Sequence, residues 1–138
     1  MTIQDKQQEI VDEFSVFDDW MDKYQYLVDL GKSLEPFPEK YRTDNNLIEG
    51  CQSRVWIYAT EEHGKIKFYG DSDAIIVKGI VSLLISVFSG FSANDILKAD
   101  FNFIDEIGLK EHLSPTRSNG LVAMVKQMKL YALAFENR

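Results

Sequence analysis

Apolar residues recur first at helical spacing, then in short continuous runs, then at helical spacing again. Ile3, Ile10, Val11 and Phe14 form a short apolar stripe, and Thr2 can cap a helix over about residues 3–16. Asp18 is a natural N-cap for a second helix, on which Trp20, Tyr24, Leu27, Val28 and Leu34 repeat with acids between them and Gly31 near its end. Glu35-Pro36-Phe37-Pro38 breaks regular structure, and a polar loop runs on to Asn45-Asn46. The texture then changes. Arg54 to Thr60 and Ile66 to Tyr69 are rich in β-branched and aromatic residues around the polar turn Glu61-Glu62-His63-Gly64-Lys65, which predicts a β-hairpin. Leu47-Ile48-Glu49 is a candidate third strand, leaving Gly50-Cys51-Gln52-Ser53 in a turn at one end of the sheet.

Beyond the hairpin, Asp71-Ser72-Asp73 offers N-caps for a helix over about residues 73–89. Its polar face is only the stripe Lys78, Ser82, Ser86 and Ser89, so it must be covered on most sides and is expected at the centre of the core. Ser92 with Asp95 opens a short helix, residues 101–107 give a further turn or two, and Ser114-Pro115 starts a terminal helix with the stripe Leu121, Met124, Val125, Met128, Ala132 and Phe135. Strands clustered between helices predict an α+β fold, with a small antiparallel sheet of about three strands packed against helices. At 138 residues, with no repeat or linker, residues 1–138 are expected to form one domain.

Charge adds an asymmetry. The net charge of −7 falls on the first 39 residues, which hold ten acids and three bases; the remainder is balanced. Such a chain lacks the basic face that a general nucleic-acid binder needs, so no nucleic-acid partner is expected. The acidic third could steer a basic partner or simply be the solvated side of two helices. The longest uncharged run, residues 79–94, is too short and too rich in glycine and serine to span a membrane. No basic segment followed by an apolar one opens the sequence, so the expected compartment is the cytoplasm.

Candidate chemistry narrows to one sulfur. Cys51 is the single cysteine, which excludes an intrachain disulfide, a CxxC redox pair and a zinc site built mainly on thiolates. His63, His112 and Cys51 have no metal-ligand spacing, and both histidines read as solvated surface residues. No phosphate loop, dinucleotide fingerprint or GxSxG turn is present. A free cysteine is most often a small buried hydrophobe. Here it stands beside Gly50, Gln52, Ser53 and Arg54, a polar glycine turn with a cation at hand, and a nearby positive charge favours the nucleophilic thiolate. Arg42 and Arg117 are further cations that the fold could bring near.

The wording around Cys51 is specific. Asn46-Leu47-Ile48-Glu49-Gly50-Cys51-Gln52-Ser53-Arg54-Val55-Trp56 resembles the GCQSxVW active-loop signature of the SufE family, the sulfur acceptors of iron–sulfur cluster assembly, a signature that SufE and CsdE share. Three other segments are similar to family motifs in the same order: Trp20 to Leu34, with W-x-x-K-Y-x-Y-L-x-x-L-G; Gly70-Asp71-Ser72-Asp73-Ala74 through Val77-Lys78-Gly79; and His112-Leu113-Ser114-Pro115-Thr116-Arg117-Ser118-Asn119-Gly120.

The resemblance implies an α+β fold related to the IscU-type scaffold, with a thiol that can be tucked into an apolar pocket at the sheet's edge. It implies a sulfurtransferase-type carrier rather than an independent metabolic enzyme. A SufS- or CsdA-like cysteine desulfurase would hold pyridoxal phosphate, and this chain would need no cofactor or metal of its own. The Cys51 thiolate would attack the terminal sulfur of the partner's persulfide, a displacement of the thiol–disulfide type. The sulfur would then pass to a SufB-containing scaffold. By the same resemblance, Asp73 and Arg117 lie in motifs associated with desulfurase contact and support of the cysteine loop, and Gln52 and Ser53 shape that loop. Asp73 has a competing reading as a helix cap, and Arg117 one as an ordinary first-turn surface residue. The alternative for the whole chain is a non-catalytic binding or scaffold module with a structural cysteine. Assembly of a cluster on this chain is disfavoured, because clusters want several thiolates. Homodimerisation is left open, as is any role for residues 35–44.

Overall fold

Thr2 accepts a hydrogen bond from the Asp5 amide while the Asp5 side chain accepts from the Thr2 amide, and this reciprocal cap opens α1, Ile3–Ser15. The computed structural model describes residues 1–49, 51 and 53–137, with Lys110 described by its backbone alone. The second helix, α2, is Trp20–Lys32, and its cap is Asp19 rather than Asp18: the Asp19 carboxylate accepts from the Asp22 amide at 3.1 Å. The two residues are equivalent capping chemistry, and only the register of the turn distinguishes them.

The predicted hairpin forms from β1, Val55–Glu62, and β2, Lys65–Ser72, antiparallel with Val55 opposite Ser72 and Glu62 opposite Lys65. The turn is tighter than the sequence suggests, because the strands continue through Glu62 and Lys65. Only His63 and Gly64 remain outside them, both with positive φ (54° and 78°), as a two-residue hairpin turn demands. The expected third strand is corrected: among the described residues the sheet has two strands, and the Leu47 segment contributes one isolated bridge to Trp56. On the opposite edge, Ile66 and Phe91 form a second isolated bridge, so short contacts cover both edges of the hairpin.

The apolar helix is α3, Ile75–Phe88, and it packs against α2, β2, α1 and α7 as a central helix should. Its start corrects the capping expectation for Asp71-Ser72-Asp73: Ala74 occupies the N-cap, with no side-chain cap bond. The two aspartates bond elsewhere, and the Ser72 hydroxyl accepts from the amide of Ala74 itself at 3.2 Å. Where α2 crosses α3, backbone lies on backbone. A Cβ on Gly79 would stand 2.1 Å from the Leu27 carbonyl oxygen, and one on Gly31 would stand 3.0 Å from the Gly79 nitrogen. Three short helices follow, α4 (Ala93–Lys98, capped by Ser92), α5 (Phe103–Glu106) and α6 (Leu109–His112). The chain closes with α7, Pro115–Glu136, capped by Ser114 with Pro115 in its first turn. Leu121, Met124, Val125, Met128 and Ala132 are buried as the stripe predicts, while Phe135 is only partly covered.

The core is continuous from Phe14 and Leu27 through Ile57, Ile66 and Leu84 to Ile96, Ile104 and Met128. Residues 37–46 form a strap over the hairpin's other face. Phe37 is buried, the Tyr41 ring stacks on Tyr58 at 3.7 Å, and the Arg42 guanidinium lies 4.7 Å from the centre of the Trp56 ring. Arg42 also pairs with Asp71 at 2.8 Å. The segment without a functional reading therefore has a structural one: it covers aromatic side chains that alternation leaves on the outer face of a two-stranded sheet. The ten acids of the first 39 residues are all exposed. Among the described residues, no helix is long and apolar enough to cross a membrane.

Candidate functional site

Cys51 stands between two pinned segments. The Ile48 amide donates to the Val55 carbonyl at 2.8 Å, tying the chain before the cysteine to the start of β1. Arg54, three residues after the cysteine, is held by its backbone. Its amide donates to Asp73 Oδ1 at 3.1 Å. Its carbonyl accepts from the Ser72 hydroxyl at 2.9 Å and the Asp73 amide at 3.2 Å. The motif GDSDA thus clamps the loop after the cysteine, and Asp73, committed to the Arg54 amide, does not cap α3. Of Asp73's two competing readings, the helix cap is the one the bonding pattern excludes.

Asp71, the first acid of that motif, faces the other way, toward Arg42 and Lys78 at 2.8 Å and 3.4 Å. Burial alone would raise its carboxyl, but hydrogen bonds from Arg42 and the Ser72 amide, with the charges of Lys78 and Arg42, outweigh it and hold Asp71 below the usual carboxylate range. Arg42 is consequently committed to the strap and is not the cation beside Cys51.

The thiol itself is half-buried in a small cleft whose other walls are Ser53, Val77, Thr116, Arg117, Gly120 and Met124. It therefore sits where the start of α3 and the first three turns of α7 converge. Cys51 Sγ lies 3.6 Å from the Gly120 carbonyl oxygen, at the reach of a weak S–H donor. Burial pushes the thiol's pKa up, and a bond that only the protonated form can donate acts in the same direction. At rest, then, the sulfur is a poorly nucleophilic thiol rather than a thiolate.

The start of α7 is anchored by the second helix. The Trp20 ring stacks on His112 with centroids 3.8 Å apart, and the Tyr24 hydroxyl donates to the His112 carbonyl. Two of the sequence motifs thus meet and fix the segment that brings Arg117 and Gly120 to the cysteine. Both histidines are exposed, as the sequence reading expects, but His112 is also held by the Trp20 stack, whereas His63 stands in the hairpin turn. Among the described residues, no group of three or more His, Cys, Asp or Glu side chains could hold a metal ion.

Of the residues singled out from sequence, the structure gathers Cys51, Ser53 and Arg117 at the cleft. Arg54 and Asp73 lie behind it as the clamp, with the Arg54 side chain exposed. Gly50 and Gln52 lie outside the described residues. Sequence reasoning missed Val77, Thr116, Gly120 and Met124 as walls. Met124 was legible only as core, whereas Gly120 closes the last motif and could have been noticed as a glycine inside a helix.

Residues 8–132 match the model of the SufE family, the Fe-S metabolism associated domain. An uncharacterized SufE-like protein of Rhizobium meliloti strain 1021 is 42% identical over 126 residues, covering 88% of this chain and 90% of that one. The cysteine desulfuration protein SufE of Wigglesworthia glossinidia brevipalpis is 41% identical over 118 residues, covering 84% of this chain and 82% of its own. The solution structure of a hypothetical protein from Thermus thermophilus superposes with a TM-score of 0.81 over 96% of this chain and 97% of the other. At 22% identity that likeness concerns the fold alone, and it agrees with the expected α+β class.

Proposed function

Because this chain belongs to the SufE family and so has its role in Fe-S metabolism, we propose that Cys51 is the thiol that accepts sulfur from a cysteine desulfurase. The seating of the chain's one cysteine carries this reading. It is held at a cleft by a backbone clamp on one side and an anchored helix on the other, partly open to a partner, with Arg117 on the rim. A purely structural cysteine needs no such clamp.

The reaction is a displacement at sulfur. Cys51 loses its proton, its sulfur attacks the outer sulfur of the partner's persulfide, and the partner's thiolate leaves and takes up a proton. One S–S bond breaks and one forms, so there is no net oxidation and no co-reactant is needed. The pyridoxal phosphate that releases sulfur from free cysteine belongs to the SufS- or CsdA-like partner, and this chain supplies only the acceptor. The resulting Cys51 persulfide then passes its outer sulfur to a SufB-containing scaffold, and the absence of a second cysteine protects it from discharge within the chain. Ser53, Arg54 and Asp73 set the position of the loop together with Gly50 and Gln52, and Arg117 contacts the partner.

The test is intact mass spectrometry without reductant after mixing with desulfurase and cysteine. The expected product carries one or more extra sulfur atoms mapped to Cys51, and Cys51→Ser carries none while unfolding at nearly the same temperature. An unmodified mass during active desulfurase turnover overturns the reading. A large loss of stability in Cys51→Ser, with no transfer in the parent, favours a structural cysteine instead.

A further inference from the structure

We infer that Gly120 is a positioning residue, whose missing side chain lets the Cys51 thiol rest tucked and slow to react against α7. Gly120 lies inside α7, where glycine is a poor choice, since an interior alanine forms helix more readily. Its backbone is ordinary helix, and Gly120 is not among the residues with positive φ, so no unusual conformation demands a glycine there. What demands it is space. A Cβ built at this position has its three nearest neighbours all in one residue: Cys51 Sγ at 3.2 Å, Cα at 3.6 Å and Cβ at 3.7 Å. The shortest of these is too tight to be tolerated without movement, and the group it meets is the thiol.

Of the two sides of that contact, the helix is the one that cannot yield. Gly120 is followed directly by Leu121, Met124 and Val125, all buried in the core, and preceded by the capped and anchored start of α7. On the cysteine side, the bond seen among the described residues is the weak one from the thiol to the Gly120 carbonyl, which a methyl group at this position would crowd. Adding one carbon to the helix therefore moves the sulfur, not the fold. In the parent chain, the missing carbon is what lets the thiol rest against the helix backbone, where burial and the carbonyl acceptor keep it protonated. The consequence is selectivity. A sulfur acceptor held as a tucked thiol is slow toward dissolved oxidants and electrophiles. This inference rests on the reading of Cys51 as the acceptor, but its test does not require a desulfurase.

Iodoacetamide alkylation of Cys51 in the parent and in Gly120→Ala, followed from neutral to alkaline pH, reads the thiol directly. Gly120→Ala is expected to react about three- to tenfold faster at neutral pH, with its pH profile shifted toward lower pH by roughly the corresponding half to one unit. Its melting temperature should be equal or higher. A synthetic peptide of residues 46–56 should react faster than the intact parent. Equal rates and profiles in parent and Gly120→Ala overturn the inference, as does a parent that reacts as fast as the peptide. A Gly120→Ala chain that fails to fold also overturns it, because the conflict would then lie in helix packing rather than at the thiol. Sulfur transfer is scored separately: faster alkylation in Gly120→Ala with no transfer to either chain sinks the acceptor reading and leaves the role of Gly120 standing. Equal alkylation with normal transfer does the reverse.

Discussion

Asp73 shows how one side chain changes meaning between sequence and fold. Asp-Ser-Asp before an apolar helix has the chemistry of a cap, and local spacing alone cannot tell a cap from a clamp on a residue nineteen positions away. The carboxylate instead holds the Arg54 amide, and so fixes where the chain emerges from the cysteine loop. Replacing Asp73 by alanine is expected to cost about 1 kcal/mol, the worth of an exposed hydrogen bond to a charged acceptor. Amide hydrogen exchange at Arg54 should accelerate about fivefold, while exchange at buried α3 amides reports only the global loss. Unchanged exchange at Arg54 would show that Asp73 does not hold the loop. Cys51 itself was legible from its polar glycine surroundings. Its protonation state was not, because the expected cation, Arg54, turns to solvent while burial decides the titration.

Among the elements, the helices were read well because capping and 3.6-residue periodicity are local signals. The central position of α3 followed from its narrow polar stripe. What the pattern concealed was how closely α2 approaches it. That contact depends on Gly31 and Gly79 facing each other, a pairing visible only in three dimensions. Gly79→Ala places a methyl against the Leu27 backbone, which cannot rotate away. Despite the better helix propensity of alanine, a loss of about 2–3 kcal/mol is expected in denaturant unfolding. A stable Gly79→Ala chain would mean the helices are not in backbone contact.

The strap over residues 37–46 escaped the sequence reading for a related reason, since its aromatic and ionic partners are on the hairpin. Its ion pair gives a pH signature. The folded Asp71 carboxyl is held below its unfolded value, so its contribution is complete at neutral pH and is lost as pH falls through the folded pKa. A double-mutant cycle with Arg42→Met and Asp71→Asn should give a coupling of about 1–2 kcal/mol at neutral pH. The coupling should fade only once the pH has fallen below the ordinary carboxylate range. A coupling that vanishes near the ordinary carboxylate range would contradict the pairing.

At the scale of the whole molecule, the fold brings separated motifs to one place. The Trp20 and Tyr24 segment anchors His112, His112 leads into α7, and α7 supplies the wall against which Cys51 rests. The Asp73 segment closes the same loop from the hairpin side. Sequence order alone showed four motifs; their convergence on one sulfur is a property of the packing. The acidic residues of α1, α2 and the following segment remain exposed and uninvolved in the cleft, so the chain has an acidic surface apart from its thiol. The proposed function makes Cys51 a sulfur held in waiting at that convergence. The direct measurement is a single-turnover transfer: desulfurase loaded with radiolabelled persulfide, freed of excess cysteine, then mixed with this chain. The account predicts that label moves to Cys51, and that prior alkylation or Cys51→Ser leaves it on the desulfurase. Label that stays with the desulfurase in the presence of the unmodified chain, or moves equally well to Cys51→Ser, would contradict it.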